Sequence, residues 1–187
     1  MRLKALLFVL WLSVVGAAET HVLIVYDSVD HHTEKVANWV ADGVREQPDT
    51  SLRLLRVEDA DHDDLIWADA ILIGSPVYNA GLTPKVGTFM AEWPFDDSPL
   101  KNRVGGAFVS CQGATAGAEN AIFSILKTML IFRMIIVGGE DWRSGFGVAY
   151  VRDGSTDKTL GFTEAQSKEL AARVCRLARM TMELRER

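Results

Sequence analysis

Cysteine is scarce in this 187-residue chain, which holds only Cys111 and Cys175. Two thiols are too few for a disulfide-stapled scaffold. The sequence puts one in a strand-end loop and the other in the middle of the last helix, which argues against a bridge between them. Basic residues are also in deficit, with 20 Lys and Arg against 25 Asp and Glu. That sign speaks against nucleic acid or an anionic membrane surface as partner. There is no internal repeat, no low-complexity tract, and no Ser-His-Asp or Cys-x-x-Cys arrangement. The apolar run near the N-terminus, Ala5 to Val15, is well short of the ~20 residues that cross a bilayer.

What the N-terminus does have is an order: MRLK, then Ala5 to Val15, then Gly16, Ala17 and Ala18. Basic, hydrophobic and small residues in that sequence read as a secretory signal peptide over residues 1–18, cleaved after Ala18. No cysteine closes the run, which disfavours a lipoprotein. No Arg-Arg pair precedes it, which favours export in the unfolded state and cofactor loading outside the cytoplasm. The expected product is a periplasmic or secreted domain, residues 19–187, with no stable membrane insertion. Without Arg2 and Lys4 the count is 18 basic against 25 acidic residues, a net charge near −7. A chain of that length suits one domain with one substantial core.

Along the domain, short apolar runs alternate with helical patterns. His21 to Tyr26, Leu52 to Val57, Ala70 to Gly74, Val104 to Ser110 and Met134 to Val137 read as strands, most of them apolar on both faces. Val36, Val40 and Val44 recur at helical spacing in a helix over Thr33 to Glu46. Thr83 and Pro84 suit a helix start leading into Val86 to Trp93. Gly117 to Ile131 reads as the next helix. A capping box of Thr163 and Gln166 opens the last one, whose inner face carries Leu170, Val174, Leu177 and Ala178. The alternation predicts a parallel sheet with helices on both faces and right-handed crossovers. Gly138 to Gly161 reads as one long irregular insertion, a kind of loop that is usually functional.

In such a sheet, ligands sit outside the carboxyl ends of the strands where the order reverses. Three loops are expected there. Asp27 to Thr33 joins a strand to a helix N-terminus, where free amides and the helix dipole favour phosphate, with Ser28 and Thr33 as hydroxyl donors. Ser75 to Leu82 offers Pro76, Val77, Tyr78, Asn79 and Gly81, an arrangement in which a flat heterocycle can stack on Tyr78 while Asn79 and backbone groups bind its edge. Ser110 to Glu119 is rich in small residues, among them Gly113 and Gly117, beside Ser110, Cys111 and Gln112. Each loop alone reads equally as a capped turn, a Pro-Gly turn or a surface loop. Their convergence on one sheet edge is what points to a ligand.

These residues carry a resemblance. DAILIGSPVYNAG resembles the flavin-ring loop of the flavodoxin-like superfamily. VGGAFVSCQGATAGAE followed by MIIVGG resembles the third flavin loop and fifth strand of the WrbA-type NAD(P)H:quinone oxidoreductases and their FMN-reductase relatives. Ser28 to Ala37 aligns loosely with that family's phosphate loop. The resemblance spans residues 21 to 182. It implies a three-layer α/β/α sandwich, a five-stranded parallel sheet of order 2-1-3-4-5, and FMN as cofactor. Ser28, Asp30, His31, His32 and Thr33 would lie around its phosphate, and the second and third loops around its ring. The partner would be a quinone or a redox protein, the acceptor entering beside Trp93 and the Gly138 to Gly161 loop. A homo-oligomer is compatible with the same family.

Two departures qualify the resemblance. His31 stands where the family has Gly, and Asp30 where it has Thr or an aromatic. A carboxylate ~4 Å from a phosphate costs up to ~4 kcal/mol at an effective dielectric of about 20, whereas a helix N-terminus returns about 0.3 to 2 kcal/mol. Asp30 must therefore point away or be neutralised by protonated His31 or His32, or else FMN binding has been lost. Ile131, Phe132 and Arg133 occupy the place of the family's active-site His. Two functions follow: an exported flavoprotein oxidoreductase, or an electron carrier or binding module that kept the fold without turnover. No catalytic residue is assigned. The acidic run Asp61, His62, Asp63 and Asp64 reads as a solvated turn rather than a metal site.

Overall fold

Strands and helices alternate through the computed structural model, which describes residues 18–154 and 156–184. The signal peptide expected over residues 1–18 therefore lies outside the described residues, apart from Ala18. Strand β1 spans Thr20–Tyr26, β2 Thr50–Arg56, β3 Ala70–Pro76 and β4 Val104–Cys111. They pair in parallel with β1 between β2 and β3, and β4 beyond β3. The sheet order is β2-β1-β3-β4-β5, as expected.

Successive strand side chains face opposite sides of the sheet, and these strands are apolar on both. Val22, Ile24, Leu72 and Phe108 face α1, His32–Arg45, and α5, Asp157–Thr181. Leu23, Val25, Ile71, Ile73 and Val109 face α3, Pro84–Ala91, and α4, Ala118–Ile131. The close fit of β3 on β4 depends on Gly74: a Cβ there would lie 2.1 Å from the Phe108 ring. The two cysteines fall on opposite faces, Cys111 under α4 and Cys175 within α5, both buried as free thiols.

The short helix α2, His62–Trp67, shows what the acidic run does. Asp61 and Asp64 form a reciprocal capping box, and the His62 ring nitrogen lies 2.6 Å from the Glu92 carbonyl oxygen. At α3, Thr83 is the N-cap and Pro84 the first helical residue, but the buried Thr83 hydroxyl caps no amide.

Three expectations need correction. The fifth strand is two collinear pieces: β5, Ile135–Ile136, pairs with Val104 and Gly105, and β6, Val148–Val151, pairs with Phe108 to Cys111. Both run parallel to β4, and the excursion between them carries a 3-10 turn at Trp142–Ser144. Gly138 to Gly161 is accordingly a short excursion, a sheet strand and a helix start rather than one irregular loop. The last helix also begins earlier than expected, at Asp157. Thr156 and Thr159 form its capping box, and Thr163 lies inside it, with its hydroxyl donating back to the Thr159 carbonyl.

Candidate functional site

The carboxyl ends of β1, β3, β4 and β6 reach one edge of the sheet. Right-handed crossovers bring their loops together there. The first loop leaves β1 at Asp27, whose N–H donates to the Gly74 carbonyl (3.1 Å). Arg56, at the end of β2, holds this loop from the side, donating to the Ser28 carbonyl (2.9 Å) and lying 3.9 Å from the Asp27 carboxylate.

At the start of α1 the hydroxyls serve structure first. Ser28 Oγ accepts the Glu34 N–H (3.2 Å), leaving its own proton to donate, and Thr33 Oγ1 pairs with Ser110 Oγ (2.7 Å), both fully buried. The amides of His32 and Thr33 begin the helix with no acceptor among the described residues, as geometry requires of a first turn. His31 stands at the N-cap with φ 64, the left-handed backbone that the family's Gly would adopt freely. Its ring turns outward to Glu34 (2.7 Å), while His32 turns inward beside Tyr150.

Asp30, His32, Pro76, Val77, Ser110, Cys111 and Gln112 line one cavity of about 130 Å³, joined by Arg152. Seven of the expected site residues thus come together. Ser28 and Thr33 sit behind the wall, His31 faces solvent, and Tyr78, Asn79, Gly81, Gly113 and Gly117 lie on the adjoining loops, outside the cavity's lining. Burial pushes the Cys111 thiol above its usual pKa, so it lines the cavity as a neutral thiol.

The second loop is a tight turn. Tyr78 and Gly81 exchange both backbone hydrogen bonds (2.9 Å each), and the residues between them, Asn79 and Ala80, have φ 48 and 61. The turn leaves Tyr78 54% exposed.

Arg152 was missed in the sequence. It follows β6 directly; its N–H donates to the Cys111 carbonyl (2.9 Å), and that of Asp153 to the Gln112 carbonyl (2.8 Å). Its Nη1 stands 3.5 Å from Asp30 Oδ2 and 3.3 Å from His32 Nε2. The short β-branched and aromatic run Val-Ala-Tyr-Val ahead of it, bounded by Gly147, was the available signal for a strand ending at this edge.

Two expected neighbours are elsewhere. Trp93 is 4% exposed, packed on Phe89 and Phe132 at the end of α3. Phe132 follows α4, and Arg133 next to it accepts the Asn102 N–H near the start of β4, so this cluster sits at the amino edge of the sheet. Helices in a parallel α/β sheet run antiparallel to the strands, which carries their ends to the edge opposite the loops. Neither Trp93 nor residues 131–133 can therefore flank the cavity.

The flavodoxin domain family matches residues 23–130, from β1 through α4, taking in all three loops. The chain belongs to the flavodoxin family. It is similar to a flavodoxin of Aquifex aeolicus, 34% identical over 128 residues that make up 65% of this chain and 66% of that protein. It is also similar to an NAD(P)H dehydrogenase (quinone) of Rhodopseudomonas palustris, 33% identical over 139 residues, 63% of this chain and 69% of that protein. The chain thus spans about two thirds of the length of these relatives. In fold it matches the crystal structure of a flavodoxin, WrbA-like protein from Agrobacterium tumefaciens, with a TM-score of 0.69 at 19% identity, over 87% of this chain and 99% of that one. The family match ends at residue 130, before β5, β6 and Arg152.

Proposed function

We propose that this flavodoxin-family protein binds FMN non-covalently at the three-loop edge and acts as an oxidoreductase outside the cytoplasm, passing electrons to a quinone-like acceptor or a redox protein. The observation that carries the reading is the convergence of residues from all three loops on one cavity. The donor set suits a phosphate monoester: first-turn amides of α1, the Arg152 guanidinium and His32, with Asp30 as the one opposing carboxylate. The cavity is small, about 130 Å³, and its polar donors suit the phosphate rather than the tricyclic ring. The ring is left to the open rim, where the exposed Tyr78 offers a stacking face.

Bound FMN would supply hydride and single-electron chemistry. The chain's own part is to hold the phosphate, to keep Cys111 neutral at the wall, and to leave the rim open to an acceptor. Export is supported by the basic, apolar, small-residue order of residues 1–18. Nicotinamide is not expected at useful concentration outside the cytoplasm, which favours a redox protein as electron donor.

One observation favours a second reading, a one-electron carrier. The connection bearing Ile131, Phe132 and Arg133 lies at the opposite sheet edge, so this chain brings no group from it to the ring. Steady-state reduction of a soluble quinone at saturating FMN, with NADPH or a reduced redox protein as donor, separates the two. Turnover supports the enzyme. Reduction of bound flavin by a redox partner without quinone turnover supports the carrier.

A further inference from the structure

Asp30 and Arg152 are 122 residues apart in sequence and 3.5 Å apart in space. With His32 Nε2, which lies 3.3 Å from Arg152 Nη1 and 3.7 Å from Asp30 Oδ2, they form a triangle at the α1 N-terminus. The backbone that carries Arg152 is held by the third loop: the Arg152 N–H donates to the Cys111 carbonyl, and Gln112 Nε2 donates to Asp153 Oδ1 (2.5 Å). Both members of the pair are about half exposed, and their contact is long for a charge-assisted hydrogen bond. An exposed pair of that kind contributes little to folding. Its placement on the lining of the cavity beside Ser110 and Gln112 has another use. A planar fork of N–H donors matches a phosphate bidentately, and a monoester carries nearly two negative charges against one on a carboxylate.

We infer that Arg152 is the counter-charge for the phosphate of the bound flavin, and that Asp30 is its resting partner, exchanged for phosphate when ligand arrives. The inference rests on the FMN reading above and deepens it, because it makes Arg152 the group that selects phosphorylated over unphosphorylated flavin, with Asp30 holding it until ligand arrives. Asp30 alone would repel a phosphate. Paired with Arg152 it yields to a ligand of higher charge and offers nothing to neutral riboflavin. The family's ordinary loop residue at position 30 needs no such partner, which accounts for an arginine arriving from β6, beyond the stretch that the family match covers.

The test is the dissociation constant of FMN and of riboflavin, read by quenching of flavin fluorescence, for the unaltered protein, Arg152→Gln, Arg152→Lys and Asp30→Asn. Inorganic phosphate serves as competitor, and circular dichroism shows that each variant is folded. Arg152→Gln should weaken FMN about tenfold or more, leave riboflavin within about twofold, and abolish competition by phosphate. Arg152→Lys should restore part of the loss, and Asp30→Asn should tighten FMN by about three- to tenfold with riboflavin unchanged. Equal weakening of both flavins would reduce Arg152 to a brace for the third loop, and an unchanged FMN constant in Arg152→Gln would remove it from the phosphate altogether. In either case the FMN reading stands. If the unaltered protein binds neither flavin, that reading fails and this one with it. Should Arg152→Gln not fold, Arg152→Lys and Asp30→Asn decide by the same comparison.

Discussion

Gly117 lies directly against Ala80, so closely that a Cβ on Gly117 would fall 2.7 Å from the Ala80 Cα. The contact locks the second loop to the third. Gly117 has φ 98, and Ala80 holds a left-handed backbone at φ 61, a conformation costing roughly 1–2 kcal/mol for a residue with a Cβ. Ala80 is kept there by its turn and by Asn120, whose Nδ2 donates to the Ala80 carbonyl (2.7 Å).

Gly117→Ala combines a clash with a strained backbone, so it should destabilise the domain by about 1–3 kcal/mol and loosen flavin binding as the two loops separate. Urea unfolding and an FMN titration of the same preparation measure both. An unchanged midpoint with unchanged affinity would mean that the loops are not coupled through this contact.

Tyr78 makes the reverse prediction. The residue is 54% exposed on a turn held by backbone bonds, so Tyr78→Ala should leave the unfolding midpoint nearly unmoved. If the ring stacks on the flavin, the lost aromatic contact of about 0.5–1.5 kcal/mol should weaken FMN roughly three- to tenfold. A destabilised protein with unaltered affinity would assign Tyr78 to packing and move the flavin ring to another part of the edge.

The fold was legible where a strand is buried on both faces. The runs HVLIVY and AILIG and the segment Val104 to Ser110 have few other readings, and β1, β3 and β4 stand where those runs are. Legibility failed at the fifth strand. A two-residue β5 carries too little periodicity to show where it ends, and Gly145 and Gly147 disguised the return to the sheet at β6. Gly161 misplaced the start of α5. It reads as a break, yet it lies inside the helix with open space around its Cα, so nothing there resists a helical glycine beyond its ordinary cost of about 1 kcal/mol. Seven of the cavity's eight lining residues came from the strand-loop pattern. Arg152 did not, because its role arises from pairing across 122 residues, which no local pattern encodes. The same pairing bears on the objection raised by Asp30: the Arg152 guanidinium at the end of β6 stands 3.5 Å from its carboxylate.

The buried thiols give a pH prediction. Burial raises Cys175 from 9.0 to about 11, and it raises Cys111 in the same direction. Folding favours the neutral thiol, so this contribution is complete below the unfolded value and is lost as pH rises through the folded one. Stability should fall between pH 9 and about 11, and Cys175→Ala, although less stable throughout because of the cavity it leaves, should show a shallower fall. Urea midpoints across that range measure it. Parallel curves for the two proteins would contradict the assignment.

FMN at the three-loop edge is tested by the visible absorption of the purified protein before and after denaturation, followed by titration of the colourless form with FMN. The protein should show oxidised-flavin bands, release FMN on unfolding, and gain melting temperature when FMN is added back. A colourless protein that gains neither colour nor thermal stability from added FMN would contradict it.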